Sequence, residues 1–97
     1  MTVALILLTK AERDMESARD WYDTQHAGLG EEFLSSVRAR LETIRAFPEA
    51  YPTMYRKVRR AVVQRFPYVI FYMLNPGKII VLAVLHTSRS PASWPRQ

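Results

Sequence analysis

The chain has 97 residues, 48% of them hydrophobic, and a formal net charge of +5. That length supports one domain over 1–97, burying roughly 60–65% of the surface of the unfolded chain, and excludes two independent cores. Cysteine is absent, which excludes disulfides and thiolate metal centres and fits a reducing compartment.

The elements follow in chain order. Val3 to Leu8 is a continuous apolar run of strand formers, consistent with a strand covered on both faces. It is too short for a signal peptide, lacks a basic leader and runs directly into charged sequence. Thr9-Lys10-Ala11-Glu12 has the form of a capping box opening a helix. Ala11, Met15, Ala18 and Tyr22, with Trp21 beside them, then recur at helical spacing as one buried stripe. Glu12, Asp14, Glu16, Asp20 and Asp23 fall mostly away from it and read as a solvated face with Arg13 and Arg19 as local partners.

Gly28-Leu29-Gly30 breaks this helix and admits a second, carrying Phe33, Val37, Leu41, Ile44 and Phe47 at helical spacing until Pro48 stops it. Pro48 to Met54 reads as a loop. Tyr55 to Phe66 alternates imperfectly, so two short strands or one bulged strand are expected. Tyr68 to Met73 is a strand by its β-branched and aromatic content, Asn75-Pro76-Gly77-Lys78 is a turn, and Ile79 to Leu85 is the hairpin partner. That last run is far too short to cross a bilayer, and a soluble, cytoplasmic protein without membrane partners is expected. The pattern is α+β, β-α-α-β-β-β(-β), with a helical hairpin packed on one twisted, mainly antiparallel sheet.

Charge divides the chain. All nine acidic residues lie between Glu12 and Glu49, while 50–97 carries eight Lys or Arg and no Asp or Glu. Long-range electrostatics would draw phosphate backbones or an acidic protein to that second half. Its chemistry resides in Arg residues interleaved with aromatics from Tyr55 to Tyr72, followed by His86, Arg89 and Trp94. Guanidinium groups of Arg59, Arg60, Arg65 and Arg89 can hold phosphate, and rings such as Trp94 can stack on unpaired bases. This reading needs those distant arginines to converge, once folded, into a single cationic pocket. Tyr68, Phe71 and Tyr72 read first as core or edge residues, and Trp94 as an anchor for the tail. His86, at the end of a strand, reads as a half-buried ring bonded to backbone, with general base as its second role. Ser88 beside His86 makes no triad, because every Asp lies on the first helix and there is no nucleophile turn. His26 and His86 are far apart in the chain, so no metal site is expected, and the scattered glycines offer no phosphate-cradling loop.

The order and spacing of several groups resemble the RelE/ParE superfamily of bacterial type II toxins, often labelled plasmid stabilisation proteins. They are Trp21-Tyr22 closing the first helix, Gly28-Leu29-Gly30 with Phe33, Pro48, the block from Arg59 to Tyr68 with Ile70 and Tyr72, and Val84-Leu85-His86 with Arg89, Pro91 and Trp94. The resemblance runs nearly end to end. It implies a helical hairpin on an antiparallel sheet, no cofactor, and a growth inhibitor neutralised by a cognate antitoxin encoded beside it. A homodimer and a heterotetramer with the antitoxin are the assemblies it leaves open. Members resembling ParE poison DNA gyrase without being enzymes, and members resembling RelE cut messenger RNA on the ribosome. In the nuclease branch an Arg commonly follows the aromatic at Tyr68, where this chain has Val69, and a late Tyr stands where this chain has Trp94. The resemblance therefore favours the ParE-like action, with Arg59, Arg60, Arg65, Arg89 and Trp94 as binding residues. The alternative is an endoribonuclease in which Arg65 and Arg89 stabilise phosphate charge and His86 or Tyr68 moves the proton. A basic nucleic-acid-binding domain without toxicity is the third reading.

Overall fold

Alternation decides how the first strand sits. Leu5 and Leu7 turn inward and Ala4 and Ile6 outward in β1 (Ala4–Leu7), so this is a half-covered edge strand rather than one buried on both faces. In the computed structural model, which describes residues 3–95, the chain continues through α1 (Thr9–Gln25), α2 (Leu29–Ala46), β2 (Thr53–Tyr55), β3 (Val58–Val62), β4 (Tyr68–Asn75), β5 (Lys78–His86) and a 3-10 turn at Pro91–Ser93. The five strands form one sheet in the order β1-β5-β4-β3-β2. Among the described residues only the β1–β5 pairing is parallel. The α+β architecture of a helical hairpin on one mainly antiparallel sheet is therefore present as the residue pattern implies.

Side-chain periods explain which face of the sheet the hairpin covers. Ile70 and Tyr72 from β4, Ile79, Val81 and Val84 from β5, and Ala61 from β3 meet Ala11, Ala18, Tyr22, Phe33, Val37, Leu41 and Ile44 from the helices in one buried cluster. Phe33 joins Tyr22, Phe66 and Tyr68 in a set of ring contacts with centroids 4.9 to 6.1 Å apart. The opposite face carries a second cluster of Val58, Val69, Phe71, Leu82, Ala83 and Leu85, with Met73, Ile80 and Trp94 against it. Leu82 and Ala83 lie on the same face because the β4–β5 register shifts between Phe71↔Ala83 and Tyr72↔Val81, leaving one extra residue in β5.

Gly28-Leu29-Gly30 makes the hairpin close. Gly28 adopts φ 90° at the start of α2, a left-handed conformation that costs other residues more. Gly30 packs against α1 so tightly that a Cβ would strike the Arg19 carbonyl oxygen, and its N–H donates to Asp23 Oδ1 at 2.7 Å.

Several local expectations are corrected. Leu8, not Thr9, occupies the N-cap of α1, and no side chain caps it. The strand hydrogen bond from Leu8 N–H to the Val81 carbonyl, followed at once by Glu12 N–H to the Leu8 carbonyl, places Thr9 inside the helix, so the capping box does not form. Phe47 is 64% exposed rather than buried with its helical neighbours, because α2 stops at Ala46 and a residue before proline is disfavoured in the helical region. Trp21 is also outside the buried stripe, at 57% exposure. β2 begins at Thr53, within the stretch read as loop, and the Arg-aromatic segment after it resolves into two short strands.

Candidate functional site

The four arginines do not converge. Successive residues of a strand face opposite sides, so Arg59 and Arg60 of β3 separate immediately. Arg59 Nη1 donates to the carbonyls of Tyr51 at 2.6 Å and Glu49 at 3.2 Å, bracing the loop after α2. Arg60 lies on the face away from the helices, its guanidinium carbon 5.6 Å from the Trp94 ring centroid. Its buried Nε has no hydrogen-bond partner among the described residues. Trp94 packs in turn on Phe71, with centroids 5.6 Å apart, which makes it a tail anchor and the cover of a basic side chain at once. Arg65 sits in the β3–β4 turn at φ 71° and pairs with Glu32 of α2 at 2.8 Å. Arg89 is exposed in the turn after β5, closed by its N–H to the His86 carbonyl at 3.0 Å. The expected single cationic pocket is thus replaced by separate placements set by strand alternation and by the turns.

Tyr68, His86 and Arg89 are brought together. Tyr68 opens β4 directly opposite His86 at the end of β5, and their rings meet edge to face at 5.2 Å. With Arg89 they line a cleft of about 290 Å³ whose other wall is α1, through Asp14, Ser17, Ala18 and Trp21. Those four share one helical face by their spacing of three and four residues. Asp14 fixes the two walls to each other: its Oδ2 accepts the Val84 N–H at 3.0 Å, while Lys10 Nζ donates to both carboxylate oxygens at 2.6 and 2.7 Å. The reading of Asp14 as a member of a solvated face is therefore corrected. Its spacing to Ser17 and Trp21 is the sequence signal for this wall, but acidic neighbours on both sides hid it.

The protonation states follow from these contacts. The Ser88 N–H donates to His86 Nδ1 at 3.0 Å, so in the neutral ring the proton resides on Nε2. The expected backbone-bonded His is found, and Nδ1 is no free base. Burial pushes the Tyr68 hydroxyl above the usual phenol range, Arg89 pulls it part of the way back, and Asp14 raises it further. Near neutrality the cleft thus offers a phenol, an imidazole N–H and a guanidinium as donors, with one carboxylate already neutralised by Lys10. Such a lining binds anions and stacks rings more readily than it abstracts protons. Among the described residues no group of three or more His, Asp or Glu could hold a metal ion, and no helix is long and apolar enough to cross a membrane.

Comparison with known proteins agrees with this architecture. Residues 5–91 match the family described as the ParE toxin of the type II toxin–antitoxin system, parDE. A chain from the chromosomal ParDE system of P. aeruginosa is similar in fold, with a TM-score of 0.67 at 19% identity over 88% of this chain and 96% of that one. A chain of the RelBE2 toxin–antitoxin complex from Mycobacterium tuberculosis gives a TM-score of 0.62 at 14% identity, covering 89% and 92% respectively. No curated protein sequence matches significantly. With a helical hairpin on a five-stranded sheet as the shared fold and nearly its whole length inside the family match, the chain belongs to the ParE toxin family of type II toxin–antitoxin systems.

Proposed function

We propose that the protein arrests growth by binding DNA gyrase and is neutralised by a cognate antitoxin. The observation that carries a binding action over a nuclease action is the state of the candidate catalytic groups. His86 Nδ1 is taken by the Ser88 amide, Arg65 is paired with Glu32, and Val69, in the place where the nuclease branch has an Arg, is buried at 2% exposure. Phosphate cleavage needs cations converging on one scissile group and a free proton acceptor beside it. Arg59, Arg60, Arg65 and Arg89 do not converge on one point, and the acceptor nitrogen of His86 is engaged by Ser88. Recognition of an acidic surface has no such requirement, and Arg60 with Trp94 on one sheet face and Arg89 at the strand end serve as its contacts.

The grouping of Tyr68, His86 and Arg89 favours the second reading, a ribosome-dependent endoribonuclease, and one experiment separates the two. Induced expression in growing cells is expected to leave messages intact while raising the DNA-damage response, and the purified protein is expected to inhibit gyrase supercoiling. Message fragments mapping to translating ribosomes, with supercoiling unaffected, would overturn the gyrase assignment. An absence of growth arrest would leave a nucleic-acid-binding domain without toxicity. The product of an adjoining reading frame is expected to copurify at low salt, and failure to do so counts against the antitoxin partner.

A further inference from the structure

Besides His86 Nε2, four polar groups around the α1–β5 cleft have no hydrogen bond or ion pair among the described residues: the Arg89 guanidinium, the Tyr68 hydroxyl, the Ser17 hydroxyl and the Trp21 indole N–H. They are not scattered. Ser17 and Trp21 come from successive turns of α1, Tyr68 from the start of β4 and Arg89 from the turn after β5, and all four line the same space. Trp21 is 57% exposed and meets Tyr22 only edge on, at an interplanar angle of 79°, which leaves an indole face open to a planar partner.

We propose that this cleft is a mononucleotide site, in which a base stacks on Trp21 and its phosphate is held by Arg89 with the Tyr68 and Ser17 hydroxyls as further donors. Each part of the ligand meets a group suited to it. Stacking on an exposed indole does not require a particular base and contributes roughly 1–3 kcal/mol. A guanidinium pairs with phosphate through two parallel hydrogen bonds. A phenol is protonated at neutral pH even at its ordinary pKa of about 10, and burial moves Tyr68 further in that direction, so its hydroxyl donates and does not repel the anion. Asp14 would repel it, but Lys10 and the Val84 amide hold both its oxygens. The volume, about 290 Å³, lies at the small end of ligand pockets, roughly 300 Å³, and suits one nucleotide rather than two. An acidic aromatic peptide would also present a ring and an anion. It would leave the hydroxyl donors less well used than the several oxygens of a phosphate do, so the nucleotide is favoured. The site does not depend on which cellular target the toxin binds.

The test is an NMR titration of the full ¹⁵N-labelled chain, read at the side-chain indole N–H signals of Trp21 and Trp94, assigned with Trp21→Phe, and at Arg89 Nε. AMP and GMP are expected to move the Trp21 and Arg89 signals together, saturably, while Trp94 stays in place. Adenosine and inorganic phosphate, each carrying half of the recognition, are expected to bind at least about tenfold more weakly. Arg89→Gln is expected to weaken AMP by roughly tenfold, the size of a lost charged hydrogen bond, with the rest of the amide spectrum unchanged as a check on folding. Trp21→Leu is expected to reduce AMP to the affinity of inorganic phosphate. A trinucleotide pApApA that moves the same signals at lower concentration assigns the ligand to a nucleic-acid strand, whereas equal or weaker binding assigns it to the free nucleotide pool. The proposal is overturned if AMP and GMP move neither signal, if Arg89→Gln titrates like the unaltered chain, or if N-acetyl-Glu-Phe-amide occupies the cleft and mononucleotides do not.

Discussion

Replacing Asp14 by alanine tests whether the cleft wall is held by one carboxylate. Val84 is 1% exposed, and its N–H donates to Asp14 Oδ2 at 3.0 Å, at a level where β5 has outrun its parallel neighbour: the β1 pairing ends at Leu7↔Val81. Asp14→Ala removes the acceptor and leaves a buried amide without one, which costs about 1–3 kcal/mol. For a domain near 100 residues that is a fall of roughly 4–8 °C in Tm per kcal/mol. Asp14→Asn keeps an acceptor in place and is expected to lose clearly less. Lys10→Ala is the control for the ion pair alone, because Lys10 is 59% exposed and surface pairs contribute about 0.2–1 kcal/mol. Urea unfolding followed by circular dichroism gives the three stabilities, and hydrogen exchange at the Val84 amide reports the bond itself. If Asp14→Ala and Lys10→Ala are equally mild, both within about 0.5 kcal/mol of the unaltered chain, Asp14 is a solvated-face residue after all and the argument fails.

Other perturbations separate structural from recognition roles. Arg89→Ala is expected to abolish growth arrest on induction while changing stability by less than about 0.5 kcal/mol, as for most exposed loop positions; undiminished arrest removes Arg89 from the recognition surface. The Tyr72 hydroxyl, pushed up to about 12 chiefly by burial, makes stability fall as pH rises. Below pH 10 folded and unfolded chains both keep the proton, and between about 10 and 12 the unfolded chain loses it first, weakening the fold by up to about 3 kcal/mol. Tyr72→Phe, which also deletes the 2.6 Å bond to the Pro48 carbonyl, is expected to lose about 1 kcal/mol at pH 7 and to show a shallower alkaline decline; parallel pH profiles in urea unfolding would contradict this. Gly30→Ala drives a Cβ into the Arg19 carbonyl and is expected to cost about 1–3 kcal/mol by thermal denaturation, and an unchanged Tm would show that the helices can part freely.

What could be read from the residues was whatever depends on period and punctuation. Phe33, Val37, Leu41 and Ile44 recur at helical spacing and all are buried; Gly28 and Gly30 mark the hairpin that they make. Hidden features depend on register, which local pattern does not encode. Whether Arg59 and Arg60 share a site is decided by strand alternation against β4, where they oppose Tyr72 and Phe71 on different faces. Leu8 caps α1 only because its amide is engaged by Val81 on a strand distant in sequence, and no local rule for Thr9 contains that. Asp14 was obscured for the same reason: its partner is a backbone amide of β5 at a register-shifted stretch of the hairpin. Trp21, adjacent to a buried stripe, is exposed because Tyr22 takes the inward position.

Charge segregation and topology together make the sheet face that carries Arg60 the side on which the proposed recognition is expected. Among the described residues the ion pairs join Lys10, Arg19, Arg38 and Arg45 to acids of their own helices, and only Arg65–Glu32 draws a cation from the second half. The acidic residues are confined to the first half, and most of them lie on the helices. The helices cover one face of the sheet, so the other face, with Arg60, receives no side-chain carboxylate among the described residues. Arg60 stacks on Trp94 instead and has no ion pair among the described residues. A partner that brings carboxylates or phosphates to that face supplies what the fold withholds, and the attraction weakens with salt because the charges lie near the surface. Binding to gyrase is therefore expected to fall steeply between low and physiological salt, and Arg60→Gln is expected to flatten that dependence more than Arg59→Gln, whose guanidinium is spent on the carbonyls of Glu49 and Tyr51. Equal slopes for the two variants, measured by surface plasmon resonance over a salt series, would place the contact elsewhere.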